Sequence, residues 1–372
     1  MAIGGTGSDF FSFCFQNYLP YEQPDIVLVE LSVNDYGYGD AAQPMELLTR
    51  RLFLLPSRPL VMYVHFVDRG LYKDNITNTG CNNMEDLGFN KLAEHYGIPS
   101  FSWRDFVCPL TSTGKREPMN TEKDMFNNDG SHVSYKAHLQ VASKIIQYLK
   151  ISLAPRGAYY LTRSDVKQND YMYTLVQPVF TKSISDDELI KSMCLSYLTP
   201  DFNVPLKQTL YVNITHSNAF RYFSPKESKK ESVHFKFRTD AYGRWGSRTI
   251  GGLLKIEFGI PNGPSRSVIL IFRTKDNDAS TTVWLDDDQD SAITIDSNKC
   301  GHHMYQTRLQ PIATTNVSPG YHTLNVQSNR RGWFEVSGLV VGYPGYHDYK
   351  GYRPFDVKAK MWNYEKFQQL QC

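Results

Sequence analysis

Several features are scarce or missing in this sequence, and each absence narrows the class of protein. No apolar run approaches the roughly 18 residues of a helical membrane span, because the strongest run, Val268–Phe272, has the length of one strand. Neither sign of charge is in excess, with 40 Lys and Arg against 38 Asp and Glu. Nucleic acid is bound by strongly basic surfaces. The sequence therefore predicts neither a membrane span nor a nucleic-acid partner.

Cys-x-x-Cys pairs are also missing, which excludes the common zinc-finger and redox motifs. The six cysteines are far apart, at Cys14, Cys81, Cys108, Cys194, Cys300 and Cys372. Their even number permits three disulfides but does not indicate which cysteines pair. N-glycosylation sequons begin at Asn75, Asn213 and Asn316. Chance alone produces about as many sequons in a sequence of this composition, so they do not identify a secreted protein by themselves.

The first 150 or so residues alternate between strand-like and helix-like patterns. Short apolar runs typical of buried parallel strands occupy Ile26–Leu31, Leu60–Phe66 and Ile98–Phe101. Apolar residues at helical spacing occupy Met45–Leu52, Leu87–Tyr96 and Tyr135–Leu149, the last with Leu139, Ala142, Ile145, Ile146 and Leu149 on one face. This alternation predicts a parallel sheet that helices cover on both faces.

The second half of the chain has a different pattern. After a short helical piece near Asp186–Leu195, strand-like runs separated by turn residues continue from about Thr209. They lie at 210–214, 232–237, 253–258, 268–272, 282–285, 320–326 and 333–341. Such a series predicts a β-sandwich or jelly roll. We expect a first domain at 1–152, a connecting segment at 153–200, a β-sandwich at 201–345 and a tail at 346–372.

Three polar segments of the first domain carry groups suited to acyl chemistry. Ile3–Ser8 is a glycine-rich turn whose backbone N–H groups can approach a ligand closely. Asn34 and Asp35 follow a predicted buried strand, at the end where open α/β sheets place their sites. Asp129 and His132 lie three residues apart before the last helix, so that the carboxylate can orient the imidazole as a general base.

The order and spacing of these segments resemble the SGNH hydrolase family, also called the GDSL esterases and lipases. In that family Gly-Asp-Ser carries the nucleophile, a glycine block and a G-x-N-D block supply oxyanion donors, and a D-x-x-H block supplies the triad acid and base. By this resemblance Gly5 and Asn34 are the oxyanion donors, Asp129 is the acid and His132 is the base. The resemblance covers residues 1 to about 150.

Two departures from the family pattern stand out. Ser32 replaces the glycine of the G-x-N-D block, and the nucleophile block is absent. The nearest string, Gly39-Asp40-Ala41, has no hydroxyl, and no Gly-x-Ser-x-Gly motif occurs. Ser8 and Ser131 do not lie on a strand-to-helix turn that would aim a hydroxyl at the histidine. We therefore expect the nucleophilic serine upstream of Met1, with a genuine pseudoenzyme as the alternative.

The resemblance implies a flavodoxin-like three-layer α/β/α hydrolase domain, followed here by a jelly-roll-like sandwich. It implies hydrolysis of acyl esters without a metal or cofactor, and the expected substrates are O-acetyl groups of glycans. It also implies a secreted or luminal location. Trp245, Trp284 and Trp333 of the sandwich could stack on a sugar or pack in a core. The alternative function is a catalytically dead scaffold that binds carbohydrate or another partner.

Overall fold

The computed structural model describes most of the chain in two compact units. The described residues are 3–19, 24–35, 42–67, 85–108, 112–113, 125–127, 132–153, 175–181, 184–198, 206–227, 242–274, 279–296, 307–313 and 315–345. One unit comprises Met1–Pro24, Gly37–Arg58 and Ile184–Cys372, and we call it the sandwich unit. The other comprises Asp25–Tyr36 and Pro59–Ser183, and we call it the parallel-sheet unit. The units do not follow the chain linearly, and the expected boundaries at 152, 200 and 345 remain predictions.

The helices and strands are numbered in chain order. The helices are α1 Ser8–Cys14, α2 Ser32–Asp35, α3 Ala42–Phe53, α4 Asn90–Tyr96, α5 Arg104–Val107, α6 Tyr135–Leu153 and α7 Asp186–Ile190. The strands are β1 Ile26–Val29, β2 Leu60–His65, β3 Ser100–Ser102, β4 Met193–Ser196, β5 Val212–Asn218, β6 Arg221–Phe223, β7 Arg244–Ser247, β8 Leu253–Ile260, β9 Val268–Thr274, β10 Ser280–Leu285, β11 Ile293–Asp296, β12 Arg308–Pro311, β13 Gly320–Ser328 and β14 Phe334–Val341. Within these described ranges, every helix is too short or too polar to cross a lipid bilayer.

The parallel-sheet unit contains the predicted parallel strands, in the order β1-β2-β3. Ile26 pairs with Leu60 at the start of β1, and Tyr63 pairs with Ser100 at the start of β3. The chain reverses before β3 at Gly97, whose φ of 65° is left-handed and whose N–H caps the end of α4. The apolar runs of the sequence thus form a sheet whose strands all end at the same edge.

Helix α6 packs on this sheet through a stripe that agrees with the predicted one at Ile145 and Leu149 but not elsewhere. Ala137, Val141 and Ile145 are buried in a cluster with the β2 side chains, whereas Leu139 and Ile146 are exposed. Apolar residues cover more than one side of this helix, so the amphipathic pattern alone does not fix its orientation. Small and branched side chains, which allow a close approach to the sheet, occupy the contact.

Strand β1 has an unusual burial pattern for a sheet interior. Among the described strands it pairs with β2 only, and Ile26 and Leu28 on one of its faces are 45% and 52% exposed. Leu60, which pairs with Ile26, is also exposed. The start of this strand pair therefore presents an apolar surface.

The sandwich unit is built from two antiparallel sheets. The first has the order β11-β10-β13-β8-β5, and the second has the order β12-β9-β14-β7-β6 with β4 also pairing with β14. Alternate side chains of both sheets form one core, which includes Ile256, Phe258, Leu270, Leu324 and Phe334. The expected strand at 232–237 lies outside the described residues.

The other face of the second sheet is covered by α1, α3 and α7. Phe10 and Phe13 of α1 and Leu47 of α3 pack with Ile269 and Val340 of the sheet. A disulfide joins Cys14 at the end of α1 to Cys194 in β4. The first helices of the chain therefore belong to the core of the sandwich unit.

The helical piece expected near Asp186–Leu195 is shorter than predicted. Helix α7 begins after Ser185, whose hydroxyl accepts the N–H of Glu188, and it ends at Ile190. The residues that follow form β4, because pairing with β14 satisfies their backbone groups and places Cys194 in the core. The coarse prediction of an α/β part and an antiparallel sandwich is confirmed, and the flavodoxin-like three-layer arrangement remains a prediction.

Candidate functional site

The turn that carries Asn34 lies at the carboxyl end of β1. One helical turn, Ser32–Asp35, follows the strand directly, and the Asp35 N–H donates to the carbonyl of Leu31 at 2.8 Å. Asn34 is half-buried, while Asp35 is buried. Asn34 is thus held by backbone geometry at the edge of the sheet where open α/β folds place their ligands.

Glu30 fixes the same turn, although no sequence motif points to it. Its carboxylate accepts backbone hydrogen bonds from Phe66, just after β2, and from Val33 in the turn. Desolvation by the surrounding protein raises the pKa of Glu30 to about 7, although the side chain keeps access to solvent. The carboxylate therefore ties the Asn34 turn to the end of the neighbouring strand.

Ser32, which replaces the family's glycine, has a clear structural partner. Its hydroxyl lies 2.5 Å from Nδ1 of His65, and Nε2 of the same ring lies 3.1 Å from the hydroxyl of Ser100. Burial and, secondarily, the positive charge of Arg104 lower the pKa of His65 to about 3. Ser32 and His65 are each 1% exposed. We interpret this pair as structural, because so weak a base in a buried position cannot activate a hydroxyl for a substrate.

A buried ion pair lies at the end of β3. Arg104 and Glu85 are 2% and 3% exposed, with Nε and Oε2 3.1 Å apart. The hydroxyl of Ser102 donates to the same carboxylate oxygen at 2.9 Å. Buried charges are tolerated when they are paired and hydrogen-bonded in this way.

His132 is exposed immediately before α6. Its backbone carbonyl accepts the N–H of Asn127 at 2.8 Å, and the next residue, Val133, forms an isolated antiparallel bridge with Phe126. Ser134 then precedes the first residue of α6, and its hydroxyl accepts the N–H of Lys136 at 3.3 Å. The histidine is therefore anchored through its backbone while its side chain remains accessible, as a general base requires.

Asn34 and His132 are linked through one hydrophobic cluster. Val133, the residue after His132, is buried in this cluster, and Val33, the residue before Asn34, packs against it. The chain neighbours of two predicted residues thus belong to or pack on one cluster, while the proximity of Asn34 to His132 remains a prediction. Asp129 and Ser131 lie outside the described residues, so the predicted acid-base pair of Asp129 and His132 remains a prediction.

The glycine-rich turn of Gly5 is held within the sandwich unit. Gly5 has a φ of 63°, in the left-handed region that favours glycine, and its carbonyl accepts the N–H of Thr307 at 2.8 Å. Arg273 donates to the carbonyl of Gly4 at 2.9 Å, and the Gly4 N–H donates to the hydroxyl of Tyr242 at 2.9 Å. The turn is therefore held by hydrogen bonds within the sandwich unit. Gly5 and Asn34 belong to different units, and the role of Gly5 as an oxyanion donor remains a prediction.

Ser8 and the three tryptophans of the sandwich are largely withdrawn from solvent. Ser8 is fully buried as the first residue of α1, so a substrate cannot reach its hydroxyl. Trp284 and Trp333 are each 9% exposed, and Trp245 packs against the sandwich core. These tryptophans therefore offer little free ring surface for a sugar.

Asp9, next to the glycine-rich turn, gives a testable dependence of stability on pH. It is 7% exposed, and burial raises its pKa from 3.8 to about 7. Between these two pH values the folded protein binds a proton that the unfolded chain releases. The contribution of Asp9 to stability is therefore complete below about pH 4 and is lost as the pH rises to about 7. We expect Asp9→Asn to increase the free energy of unfolding at pH 8, by up to about 4 kcal/mol, and to have little effect at pH 4.

Chemical denaturation of both proteins at several pH values measures this effect. Asp287→Asn is the matched control, because Asp287 is exposed in the β10–β11 turn. Its stability curve should run parallel to that of the unsubstituted protein. If the Asp9→Asn curve does so too, the buried carboxyl does not cause the pH dependence.

Comparison with known proteins found similarity in structure but none in sequence. No protein-family model matches the sequence, and no curated protein sequence is similar to it. Two crystal structures of a two-domain esterase active on acetylated mannans, one of them co-crystallised with mannopentaose, are similar in structure. Each has a TM-score of 0.54 and 18% identity, over 92% of this chain and 78% or 79% of the esterase chain.

A third solved structure is similar over a smaller region. The C-terminal family 6 carbohydrate-binding module of LamC from Zobellia galactanivorans covers 41% of this chain and 99% of its own, with 12% identity and a TM-score of 0.24. The similarity to the esterase extends over 92% of this chain. At 18% identity, such a similarity establishes the fold alone. This chain has the fold of a two-domain esterase.

Proposed function

We propose that this protein is a serine ester hydrolase of the SGNH type that removes acyl groups, with O-acetyl groups of glycans as the substrate. The observation that carries the proposal is the fold shared over 92% of the chain with an esterase active on acetylated mannans. The position of Asn34 at the carboxyl end of β1 and of His132 before α6 supports it independently, because the sequence motifs indicate these residues without reference to any fold.

In the proposed reaction a serine attacks the ester carbonyl while His132 takes its proton. The Asn34 amide donates a hydrogen bond to the oxyanion of the tetrahedral intermediate, and the N–H of Gly5 is the second proposed donor. Asp129 is the proposed partner that orients the imidazole. The intermediate then collapses: the bond from the carbonyl carbon to the alcohol oxygen breaks, and His132 gives its proton to the departing hydroxyl. Water attacks the acyl-serine while His132 takes a proton from it, and the acid leaves as His132 returns that proton to the serine. No step requires a metal or an organic cofactor.

Glu30 is a positioning residue in this scheme. Its hydrogen bonds from Phe66 and Val33 hold the turn on which Asn34 lies. Asn34 must be pre-positioned, because a donor that has to move during the reaction loses much of its effect on the barrier. The carboxylate of Glu30 therefore serves the proposed oxyanion donor without touching the substrate.

The nucleophilic serine is not identified by the proposal and has to be found by experiment. The protein, expressed from its complete natural coding region, is treated with a fluorophosphonate probe, and the labelled peptide is identified by mass spectrometry. We expect one labelled serine and release of acetate from acetylated mannan. No labelling and no acetate release would contradict the esterase proposal and would favour a non-catalytic carbohydrate-binding protein.

Removal of the Asn34 amide tests its proposed role. We expect Asn34→Ala to lower kcat by about 10²–10³-fold with little change in KM, because the lost hydrogen bond forms mainly in the transition state. Asn90→Ala is the control, since Asn90 is an exposed residue at the start of α4 in the same unit. Initial rates on an acetyl ester measure both. Equal rates for Asn34→Ala and Asn90→Ala would remove Asn34 from the site.

A further inference from the structure

Strand β5 forms one edge of the first sandwich sheet and contains the sequon that begins at Asn213. Val212 and Ile214 pack against the sandwich core, whereas Asn213 between them is exposed. Its amide Nδ2 lies 3.4 Å from Oε2 of Glu257, the residue opposite it in β8. The asparagine therefore points away from the core on the outer face of the sheet.

The third residue of this sequon lies at a β-bulge. Pairing with β8 continues to Ile214 and resumes at His216, so Thr215 is the extra residue of the bulge. Thr215 is exposed. The hydroxyl required for recognition of a sequon thus lies on the surface at a position without a ladder partner in β8.

An exposed aromatic ring lies two residues before the asparagine. Tyr211 is 81% exposed, which is a large exposure for an aromatic side chain. Side chains two residues apart in an extended segment lie on the same face. Tyr211 and Asn213 are therefore expected on the same outer face, where both are exposed.

The disulfide gives independent evidence about the compartment. The bond between Cys14 and Cys194 is buried in the sandwich unit, and Cys108 is also disulfide-bonded. Structural disulfides persist in secreted proteins and in the secretory pathway, where N-linked glycans are attached. The sequon thus belongs to a chain that carries the bonds expected of that compartment.

We propose that Asn213 carries an N-linked glycan whose first sugar packs on the ring of Tyr211. The donor is a polyprenyl-diphosphate oligosaccharide. A bond forms between Nδ2 and the anomeric carbon of the first sugar, the bond from that carbon to the phosphate breaks, and the polyprenyl diphosphate leaves. Nδ2 loses one of its two protons, and the remaining N–H can still donate to Glu257.

The glycan would also protect an edge of the sheet. Among the described strands β5 pairs only with β8, so its free side can template pairing with another chain. A bulky polar glycan at Asn213 keeps a second chain away from this edge. The modification therefore supports solubility of the sandwich unit, and it does so independently of the proposed catalytic function.

The experiment compares the full chain with three variants secreted from a eukaryotic host. Digestion with peptide N-glycosidase converts a glycosylated Asn to Asp, and mass spectrometry locates the conversion. We expect conversion at Asn213 in the unsubstituted protein, and loss of that glycan in Asn213→Gln and in Thr215→Ala. Ser318→Ala, which removes the sequon of Asn316, should leave the glycan at Asn213 in place. An unconverted Asn213 in the secreted protein overturns the proposal.

A second measurement tests the contact with Tyr211. We expect Tyr211→Ala to lower the Tm of the glycosylated protein by about 2 °C more than it lowers the Tm of the Thr215→Ala variant. The reason is that only the glycosylated protein has a sugar packed on the ring. Tyr321→Ala is the control, since Tyr321 is 94% exposed on the same sheet. It should lower the Tm equally in both proteins. Equal losses for Tyr211→Ala would overturn the packing of the sugar on the ring.

Discussion

His132→Ala is expected to lower kcat for acetyl-ester hydrolysis by about 10³-fold or more, because a general base that takes the proton of the attacking hydroxyl contributes on this scale. The loss should be in kcat rather than in KM, since the imidazole acts mainly in the transition state. The backbone contact from Asn127 to the carbonyl of residue 132 does not depend on the side chain. The variant should therefore keep this backbone anchor.

Two further measurements make this expectation specific. Added imidazole should restore part of the activity of His132→Ala, because it can occupy the space left by the side chain and accept the proton. His216→Ala is the matched control, since His216 is an exposed histidine on β5, in the sandwich unit and not in the unit that carries His132. Activity of His132→Ala within a few-fold of His216→Ala would exclude His132 as the base.

The parts of the fold that could be predicted are those with a local pattern. Strands β1 and β2 are predictable because short runs of branched apolar residues between turn-forming residues are typical of buried strands. Most strands of the sandwich are predictable for the same reason. Helix α1 is not, because its seven residues, Ser8–Cys14, are buried on almost every side and show no amphipathic periodicity. Its stability comes from packing against the second sheet, which sequence spacing does not reveal.

The predicted site shows the same limit. Asn34 and His132 can be found from the sequence because both belong to short motifs at fixed spacing. Glu30 and His65 cannot, because their properties come from partners far along the chain, namely the N–H of Phe66 for Glu30 and the hydroxyl of Ser100 for His65. An isolated Glu or His in an apolar strand does not reveal such a partner.

The pairing of Cys14 with Cys194 cannot be predicted either, since six dispersed cysteines allow many pairings. Removal of this bond should have the largest effect on stability. The two residues are separated by 180 positions, so the bond restricts a long loop of the unfolded chain. Both residues are buried with Phe13 and Ile269 in one cluster. We expect Cys14→Ala with Cys194→Ala to lower the free energy of unfolding by about 2–5 kcal/mol.

Guanidinium denaturation without reductant measures this loss as a lower midpoint. Because the substituted protein loses a cross-link that compacts the denatured chain, its m-value should not fall. Dithiothreitol provides the control, because it reduces the disulfide of Cys108 in both proteins but the bond between Cys14 and Cys194 only in the unsubstituted one. It should therefore lower the midpoint of the unsubstituted protein more than that of the double variant. An equal decrease in the two proteins would mean that the bond from α1 to β4 contributes nothing to stability.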